Sequence, residues 1–502
     1  MSLVDAVRRH AARTPDAAAF TFLERGEREA GSLDYGRLDL RARAVAAHLQ
    51  VQGAAGEPVA LALPTGLGFV EAFFGCLYAG AIAVPMPDAQ TRRGAERAQA
   101  IRADCGARLA VEPGAAPDAL AAQWRGPAPG AAALALLQYT SGSTAAPRGV
   151  MVTHGALSAN IEAIAAAFAL DRATRGVNWL PLYHDMGLIA GVAAPAALGV
   201  PSVLLPPLAF LQNPLRWLRA ISSYRGTTSG APSFAYELCA RALERRPPGE
   251  ALDLSCWKVA FCGGEPVRAE TLERFARAAA PSGFARGALL ACYGLAEATL
   301  LVSASRPGAG VAQVGGRVDC GAACAGTQIE LGADGEILVR GPAVTAGYWK
   351  RAEASRELFR DGFLRTGDLG QLHQGRLVVT GRLKDLVVIR GENHHPEDIE
   401  MSVRRAHAAL GAGVAFSVDG PAGEELVLVH ELAGAAPVQA IAEELAAKVA
   451  AQVAENHGLA LRELVLIRPM TLPRTANGKL QRGRCRSAYL EGALAVLARV
   501  AP

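Results

Sequence analysis

Residues Tyr139 to Val150 read YTSGSTAAPRGV, and the rest of the chain is best read outward from them. Ala135 to Ser141 (ALLQYTS) has the character of a strand, and Thr153 to Leu170 that of a helix. A strand therefore runs into a Ser/Thr/Gly loop with a helix behind it. Small residues such as Gly142 let backbone N–H groups approach an anion, and the hydroxyls of Thr140, Ser141, Ser143 and Thr144 add donors. Loops of this kind cradle phosphate. The GxxxxGK[ST] loop is absent, and Arg148 supplies the nearby cation.

Strand and helix signals alternate on both sides of this loop. Upstream lie an apolar run, Pro58 to Pro64, a helical pattern, Gly68 to Gly80, and a second apolar run, Ala81 to Pro87. Downstream, Gly176 to Leu182 and Trp257 to Gly264 read as strands, and Val267 to Ala280 as a helix with Glu270, Glu273 and Arg274 outward. Such alternation builds βαβ units and a parallel sheet, so the fold class is α/β. Gly106 to Ala133, rich in Ala, Gly and Pro, reads as a linker around a short strand, ARLAVEP. Cys320 to Arg382 is dense in turns and short alternating strands, which predicts a small β-rich subdomain. Beyond Lys384 the pattern is helix, two strands (GVAFSV and ELVLVHEL), a long helix (Val438 to His457) and another strand (ELVLIRP). That is a compact α+β module. The expected division is an N-terminal domain over 1–383 and a C-terminal domain over 384–502.

Composition excludes several classes. Of 502 residues, 51% are hydrophobic and 20% charged, which is not a disordered chain. A net charge of +4 from 51 basic and 47 acidic residues is too balanced to argue for nucleic acid. Nine cysteines are too few for a disulfide scaffold. Cys320 and Cys324 have no second ligand pair at zinc-site spacing. The N-terminal MSLVDAVRRHAARTPD is an amphipathic helix pattern, because Arg8, Arg9 and Arg13 break the apolar core of a signal peptide. Gly187 to Leu211 carries no charge and is long enough to span a bilayer, but it holds Pro195, Pro201, Pro206 and Pro207. It reads instead as a buried helix, a turn and a buried strand. No membrane span is expected, and reduced cysteines predict a cytoplasmic protein.

YTSGSTAAPRGV resembles the phosphate-loop signature of the adenylate-forming superfamily, which holds acyl-CoA synthetases, peptide-synthetase adenylation domains and luciferases. ACYGLAEATLLVS (Ala291 to Ser303), FLRTGDLG (Phe363 to Gly370), GRLKDLVVIRGENHHPEDIE (Gly381 to Glu400) and LPRTANGKLQR (Leu472 to Arg482) resemble its other motifs, in order. The likeness covers nearly the whole chain. NWLPLYHDMGLIAG (Asn178 to Gly191), FLQNPLRWLRAIS (Phe210 to Ser222), SGAPSFAYELC (Ser229 to Cys239), GGEPVRAETLERF (Gly263 to Phe275) and RGENHHPEDIE (Arg390 to Glu400) are similar to the fatty acyl-AMP ligase branch.

The resemblance implies ATP- and Mg²⁺-dependent conversion of an acid to its acyl-adenylate. It makes the C-terminal domain mobile, with Lys384 at the hinge. Joining a carboxylate to the α-phosphate of ATP brings two anions together, so cations and donors must screen them. The implied roles follow that need. Thr140 to Thr144 and Arg148 hold phosphates, and Glu297 with Thr144 binds the metal. Tyr293 lies against adenine, with Gly263, Gly264, Glu265 and Pro266 as the opposite wall and Gly294, Leu295 and Ala296 beside it. Asp368 accepts from the ribose hydroxyls, and Arg382 contacts ribose or phosphate. His184 sits at the acid site. Lys479, on an Asn-Gly turn, is the main catalytic residue, because a flexible point charge can reach both carboxylate and α-phosphate.

Three departures stand out: Ala145 replaces a glycine, Arg148 a lysine, and Ser233 an asparagine. Only 16 residues separate Ser303 from Cys320, where the branch usually carries an insertion associated with refusing CoA. The expected acceptor is the phosphopantetheine of an acyl carrier protein acting in trans, since the chain stops soon after Lys479. An acyl-CoA synthetase is the alternative. An inactive scaffold is the reading of another class, and the intact set of Glu297, Asp368, Arg382 and Lys479 argues against it. The uncharged Gly187 to Leu211 stretch, following His184, predicts an apolar acid.

Overall fold

The computed structural model describes residues 1–89, 92–112, 114, 116–126, 129–139, 147–246, 251–389, 392–420, 423–432, 438–474 and 480–502. The chain forms two compact units. The smaller runs from Thr380 to Pro502 and also takes in Gly367–Gly370.

The strand–helix alternation predicts a parallel sheet, and the larger unit rests on two sheets that are parallel over most of their βαβ strands. The first has strand order Leu109–Ala110, Pro58–Leu61, Ile82–Pro85, Leu134–Tyr139, Gly149–Thr153. All its pairings are parallel except the last. In the second, Leu289–Gly294, Val259–Cys262, Thr228–Ala231, Gly176–Asn178, Ser202–Leu204 and Ala18–Glu24 lie side by side in parallel. Apolar strands buried on both faces are what a parallel sheet covered by helices requires. Val259–Cys262 is buried at every position. The second sheet is backed by an aromatic cluster in which Trp217 meets Trp257 edge-on with ring centroids 5.1 Å apart. The indole N–H of Trp217 donates to Ser229 Oγ at 2.8 Å, so its burial leaves no unpaired donor.

Gly106 to Ala133 is not a linker. Leu109–Ala110 is an edge strand of the first sheet. Asp118 accepts from Arg41 at 2.8 Å and Arg37 at 2.5 Å, and Trp124 Nε1 donates to the Tyr78 carbonyl at 3.0 Å. The strand expected over Gly176 to Leu182 ends at Asn178, whose side chain turns the chain. On the helix Ala269–Ala279, Arg274 is tied to Glu237 and Glu244 of the helix Ser233–Glu244, at 2.8 and 2.6 Å.

The uncharged stretch forms a π-helix, Met186–Ala193, an α-helical turn, Ala194–Leu198, and the strand Ser202–Leu204. A further short helix, Pro207–Gln212, follows. Among the described residues no helix is long and apolar enough to cross a membrane. The turn-dense segment after Cys320 is a run of strands, and Arg317–Ala323 joins it to the second sheet by pairing with Leu301–Ala304.

The smaller unit is built on a four-stranded sheet in the order Leu410–Gly420, Gly423–Leu432, Leu461–Ile467, Val496–Val500. Helices Pro396–Ala406 and Val438–His457 contribute Ile399, Val403, Val449 and Val453 to its core. The closing helix Arg482–Leu490 and strand Val496–Val500 were not foreseen in the sequence.

His154, the first residue of the helix His154–Ala167, is 2% exposed. Neither of its ring nitrogens has a hydrogen-bond partner among the described residues. Burial pushes its pKa down to about 4. The unfolded chain binds this proton below about pH 6.5 and the folded chain only near pH 4, so stability falls as pH drops through that window. We predict a contribution of up to ~1.4 kcal/mol per pH unit between these limits. All five tryptophans lie in the larger unit, so urea unfolding followed by their fluorescence reads it. His154→Leu should flatten the slope by about that amount, and an unchanged slope would refute the assignment.

Candidate active site

The predicted phosphate-loop residues Thr140, Ser141, Gly142, Ser143 and Thr144, with Ala145, lie outside the described residues, but both stems of the loop are described. Leu134–Tyr139 and Gly149–Thr153 run antiparallel, with Tyr139 opposite Gly149. Tyr139 donates to Asp104 at 2.7 Å, and Asp104 pairs with Arg351 at 2.6 Å. A third segment is laid along the second stem. Trp349 N donates to Gly149 O at 2.8 Å, Met151 N to Gly347 O at 3.0 Å, and Thr345 Oγ1 to Met151 O at 2.7 Å.

Thr345 N also donates to the Glu297 carbonyl at 2.8 Å, which brings the turn Ala296–Ala298 to the same place. That turn follows the strand Leu289–Gly294. At Gly294 a Cβ would lie 1.7 Å from Leu300 O, so only glycine lets the chain double back there. The Tyr348 hydroxyl donates to Glu297 Oε1 at 2.8 Å, and the Arg148 guanidinium lies 5.6 Å from the Tyr348 ring centroid. Burial raises the phenol pKa, the Glu297 carboxylate adds to the rise, and Arg148 opposes it. Arg148 and Glu297 are thus brought together around a tyrosine that the motif reading passed over.

His184 is half-buried, at the entrance to the π-helix, with its carbonyl accepting from Leu188 N at 2.8 Å. A π-turn inside a helix often marks a functional site. Two buried amides fix its approach. Asn178 Nδ2 donates to Gly187 O and its Oδ1 accepts from Leu180 N, both at 3.0 Å. Gln138 Nε2, on the first stem, donates to Tyr183 O at 2.9 Å.

Tyr293, near the end of Leu289–Gly294, and the turn Gly263–Pro266, which follows Val259–Cys262, belong to adjacent parallel strands in register, Cys262 opposite Ala291. Both therefore lie at the carboxyl ends of the second sheet, where ligands of open α/β sheets bind. Tyr293 is buried, and Gly264 is exposed with φ +77°. Glu265 has a structural task as well. Its Oε1 accepts from Phe234 N at 2.8 Å, capping the first turn of the helix Ser233–Glu244. Ser233 Oγ donates to Pro266 O at 3.3 Å and accepts from Arg268 N at 3.2 Å, so serine serves where asparagine was expected. Leu295 is half-buried and Ala296 buried in the turn beside Tyr293.

In the smaller unit, Arg382 Nε donates to Asp368 Oδ1 at 2.6 Å, with Asp368 buried and Arg382 exposed. Lys384 is exposed in the single turn Leu383–Asp385. Lys479 lies outside the described residues. On either side of it, Arg474 pairs with Leu480 in an isolated bridge, and Arg482 is held by Asp385 and Glu400 at 2.8 Å and by Glu397 at 3.2 Å. Burial pushes the Glu400 carboxyl up, and Arg482 pulls it back.

The motif reading missed Gln138, Asn178 and Tyr348. Gln138 and Asn178 carried a signal: an amide in an apolar strand must find partners when buried. Tyr348 carried none, because its partners are 200 and 51 positions away.

A family described as AMP-binding enzyme matches residues 7–349, and one described as Disco-interacting protein 2-like, AMP domain, matches residues 384–499. The chain is 36% identical to the medium-chain-fatty-acid–[acyl-carrier-protein] ligase JamA of Moorena producens (strain JHB), over 95% of this chain and 93% of that one. It is 33% identical to the long-chain-fatty-acid–AMP ligase FadD32 of Mycolicibacterium smegmatis (strain ATCC 700084 / mc(2)155), over 98% and 95% respectively. It also resembles the crystal structure of the fatty acyl-adenylate ligase from L. pneumophila in complex with acyl adenylate and pyrophosphate. That match has a TM-score of 0.74, 35% identity, and covers 100% of this chain and 98% of that one.

The Glu265 cap carries its own test. Glu265→Ala should destabilise the larger unit by about 1 kcal/mol, the usual value of a lost helix N-terminal acceptor. Glu265→Gln, which keeps an acceptor oxygen, should lose less. Tryptophan-monitored urea unfolding measures both, and equal stability of all three proteins would show that the 2.8 Å contact does not cap the helix.

Proposed function

Because the chain belongs to the AMP-binding enzyme family, we propose that it activates an apolar carboxylic acid as acyl-AMP and passes the acyl group to an acyl carrier protein. It is an acid:AMP ligase. The observation that carries this is likeness along the whole chain to a fatty acyl-adenylate ligase solved with its acyl adenylate and pyrophosphate. In the first step a carboxylate oxygen bonds to the α-phosphorus of ATP, and the bond from that phosphorus to the β-phosphate bridging oxygen breaks, releasing pyrophosphate. In the second, a thiol attacks the acyl carbon, forming a thioester and releasing AMP.

The residue roles follow the charges. Thr140 to Thr144 and Arg148 hold the phosphates, and Tyr293 with Gly263 to Pro266 holds adenine. Asp368 binds the ribose, and Arg382 the ribose or phosphate. His184 meets the acid. Lys479 screens the two anions and meets charge that develops in the transition state. Magnesium, when bound, neutralises phosphate charge. Among the described residues no group of three or more His, Cys, Asp or Glu could hold an ion. That suits Mg²⁺, which binds through one or two carboxylates plus substrate phosphates. Glu297 is that carboxylate in this reading, with Thr144 beside it. We assign nucleotide and acid binding to residues 1–383, and Lys479 to a mobile domain over 384–502 hinged at Lys384.

The names of JamA and FadD32 point to a fatty acid, and that of JamA to a carrier protein as acceptor. CoA is the second reading, favoured by the 16 residues between Ser303 and Cys320, where the branch usually has an insertion.

Three outcomes are expected. Pyrophosphate release across short, medium, long and aromatic acids should peak with apolar chains. Lys479→Ala should cut that release by ~10²–10³ while ATP still binds. Unchanged release in the mutant would remove Lys479 from the chemistry. With radiolabelled acid and ATP, acyl-adenylate should persist when CoA is added and discharge onto a phosphopantetheinylated carrier protein. Rapid acyl-CoA formation, at a rate matching adenylation, would replace the carrier reading with the CoA one.

A further inference from the structure

We infer that Tyr348 is a positioning residue for adenylation, fixing the Glu297 carboxylate through its hydroxyl and seating Arg148 against its ring. This rests on the reading of Glu297 as the metal-binding acid. The Tyr348 hydroxyl is 2.8 Å from Glu297 Oε1, and the Arg148 guanidinium is 5.6 Å from the ring centroid. One phenol therefore touches the acid and the cation that the proposed reaction needs. A carboxylate and a guanidinium close together attract strongly where water is excluded, and a direct pair would spend both charges on each other. The Tyr348 phenol, in contact with both, links them instead.

Tyr348 is well placed for this because its own backbone is fixed on both sides. It bridges Val150, its N–H donates to Ser355 Oγ at 2.9 Å, and the next residue bonds Gly149 O at 2.8 Å. Tyr348 is 7% exposed, so its ring has few other places to go. A lone glutamate would lose more rotamer freedom on meeting a metal, whereas one already held by the phenol has lost it in advance. Gly149, Tyr348 and Glu297 thus tie the phosphate-loop stem to the metal-binding acid through one side chain.

Tyr348→Phe keeps the ring and removes the hydroxyl. The measurement is ATP binding by calorimetry on the full chain, without acid so that no turnover occurs, once in excess Mg²⁺ and once in EDTA. Wild type, Tyr348→Phe, Glu297→Gln and the double variant are compared, with thermal midpoints. Tyr348→Phe should weaken MgATP binding by ~10-fold, the scale of a hydrogen bond to a charged group. ATP binding in EDTA and the midpoint should stay near wild type. The double variant should bind MgATP no more weakly than Glu297→Gln. If Glu297→Gln loses the Mg²⁺ effect and Tyr348→Phe keeps it, Glu297 retains its role and the inference fails. If Glu297→Gln itself keeps the Mg²⁺ effect, the reading of Glu297 fails and takes the inference with it. Equal weakening in Mg²⁺ and EDTA with a lowered midpoint would mark Tyr348 as structural support only, and also overturn it.

Discussion

The backbone bonds that lay Gly347–Trp349 along Gly149–Met151 hold the larger unit's candidate site in register. They join segments about two hundred positions apart, and Thr345, at the start of the same run, reaches the Glu297 carbonyl. Closing such loops costs entropy that only a packed fold can offset. Once they are closed, Arg148, Glu297 and Tyr348 have little freedom left. The loop stem, the acid and the aromatic between them are joined by direct contacts, although no two of them are neighbours in the chain.

The second constraint is the pairing of buried amide N–H groups, although Gln138 Oε1 has no hydrogen-bond partner among the described residues. Gln138 and Asn178 are both buried, and both spend an amide N–H on a carbonyl of the segment around His184: Tyr183 for one, Gly187 for the other. An amide buried without partners costs on the order of 1–3 kcal/mol, so these side chains do not let go easily. The close fit extends to Gly191, where a Cβ would stand 2.0 Å from the Asn178 amide. The path of the chain past His184 is thereby set from the strand Leu134–Tyr139 and from the second sheet at once.

Much of this was legible in the sequence because it depends on local pattern. Apolar runs such as Pro58 to Leu61 and Val259 to Cys262 announce buried parallel strands, and the proline count in Gly187 to Leu211 ruled out a spanning helix in favour of helix, turn and strand. The motifs that resemble the adenylate-forming superfamily led to the right family, to which 36% identity with JamA also points. What escaped is non-local. Gly106 to Ala133 looked like filler because Ala, Gly and Pro carry no periodicity. Its anchors are one carboxylate, Asp118, and one indole, Trp124, each acting on a partner at least 46 positions away. The last helix and strand, Arg482–Leu490 and Val496–Val500, are short and weakly amphipathic. They exist because Cys485 and Tyr489 of the helix pack on one core cluster of the small unit and Leu497, Ala498 and Val500 of the strand on the other.

The ion pairs of the smaller unit show why charge cannot be read one residue at a time. Arg482 sits a few positions after Lys479 and could have been the solvated end of a basic run. Instead three carboxylates surround it, its side chain is 14% exposed, and it ties the turn holding Asp385 to the helix holding Glu400. Removing Arg482 would leave the buried Glu400 carboxylate uncompensated, which costs more than the pair contributes. Asp368 and Arg382 are arranged differently. They bond each other at 2.6 Å, with the arginine side chain 56% exposed. An exposed arginine can change partner cheaply, because water replaces what it gives up. On the proposed reading, a ribose arriving at Asp368 exchanges one hydrogen bond for another, whereas Arg482 stays fixed. On that same proposed reading, the small unit keeps its buried cation for architecture and its exposed one for ligand.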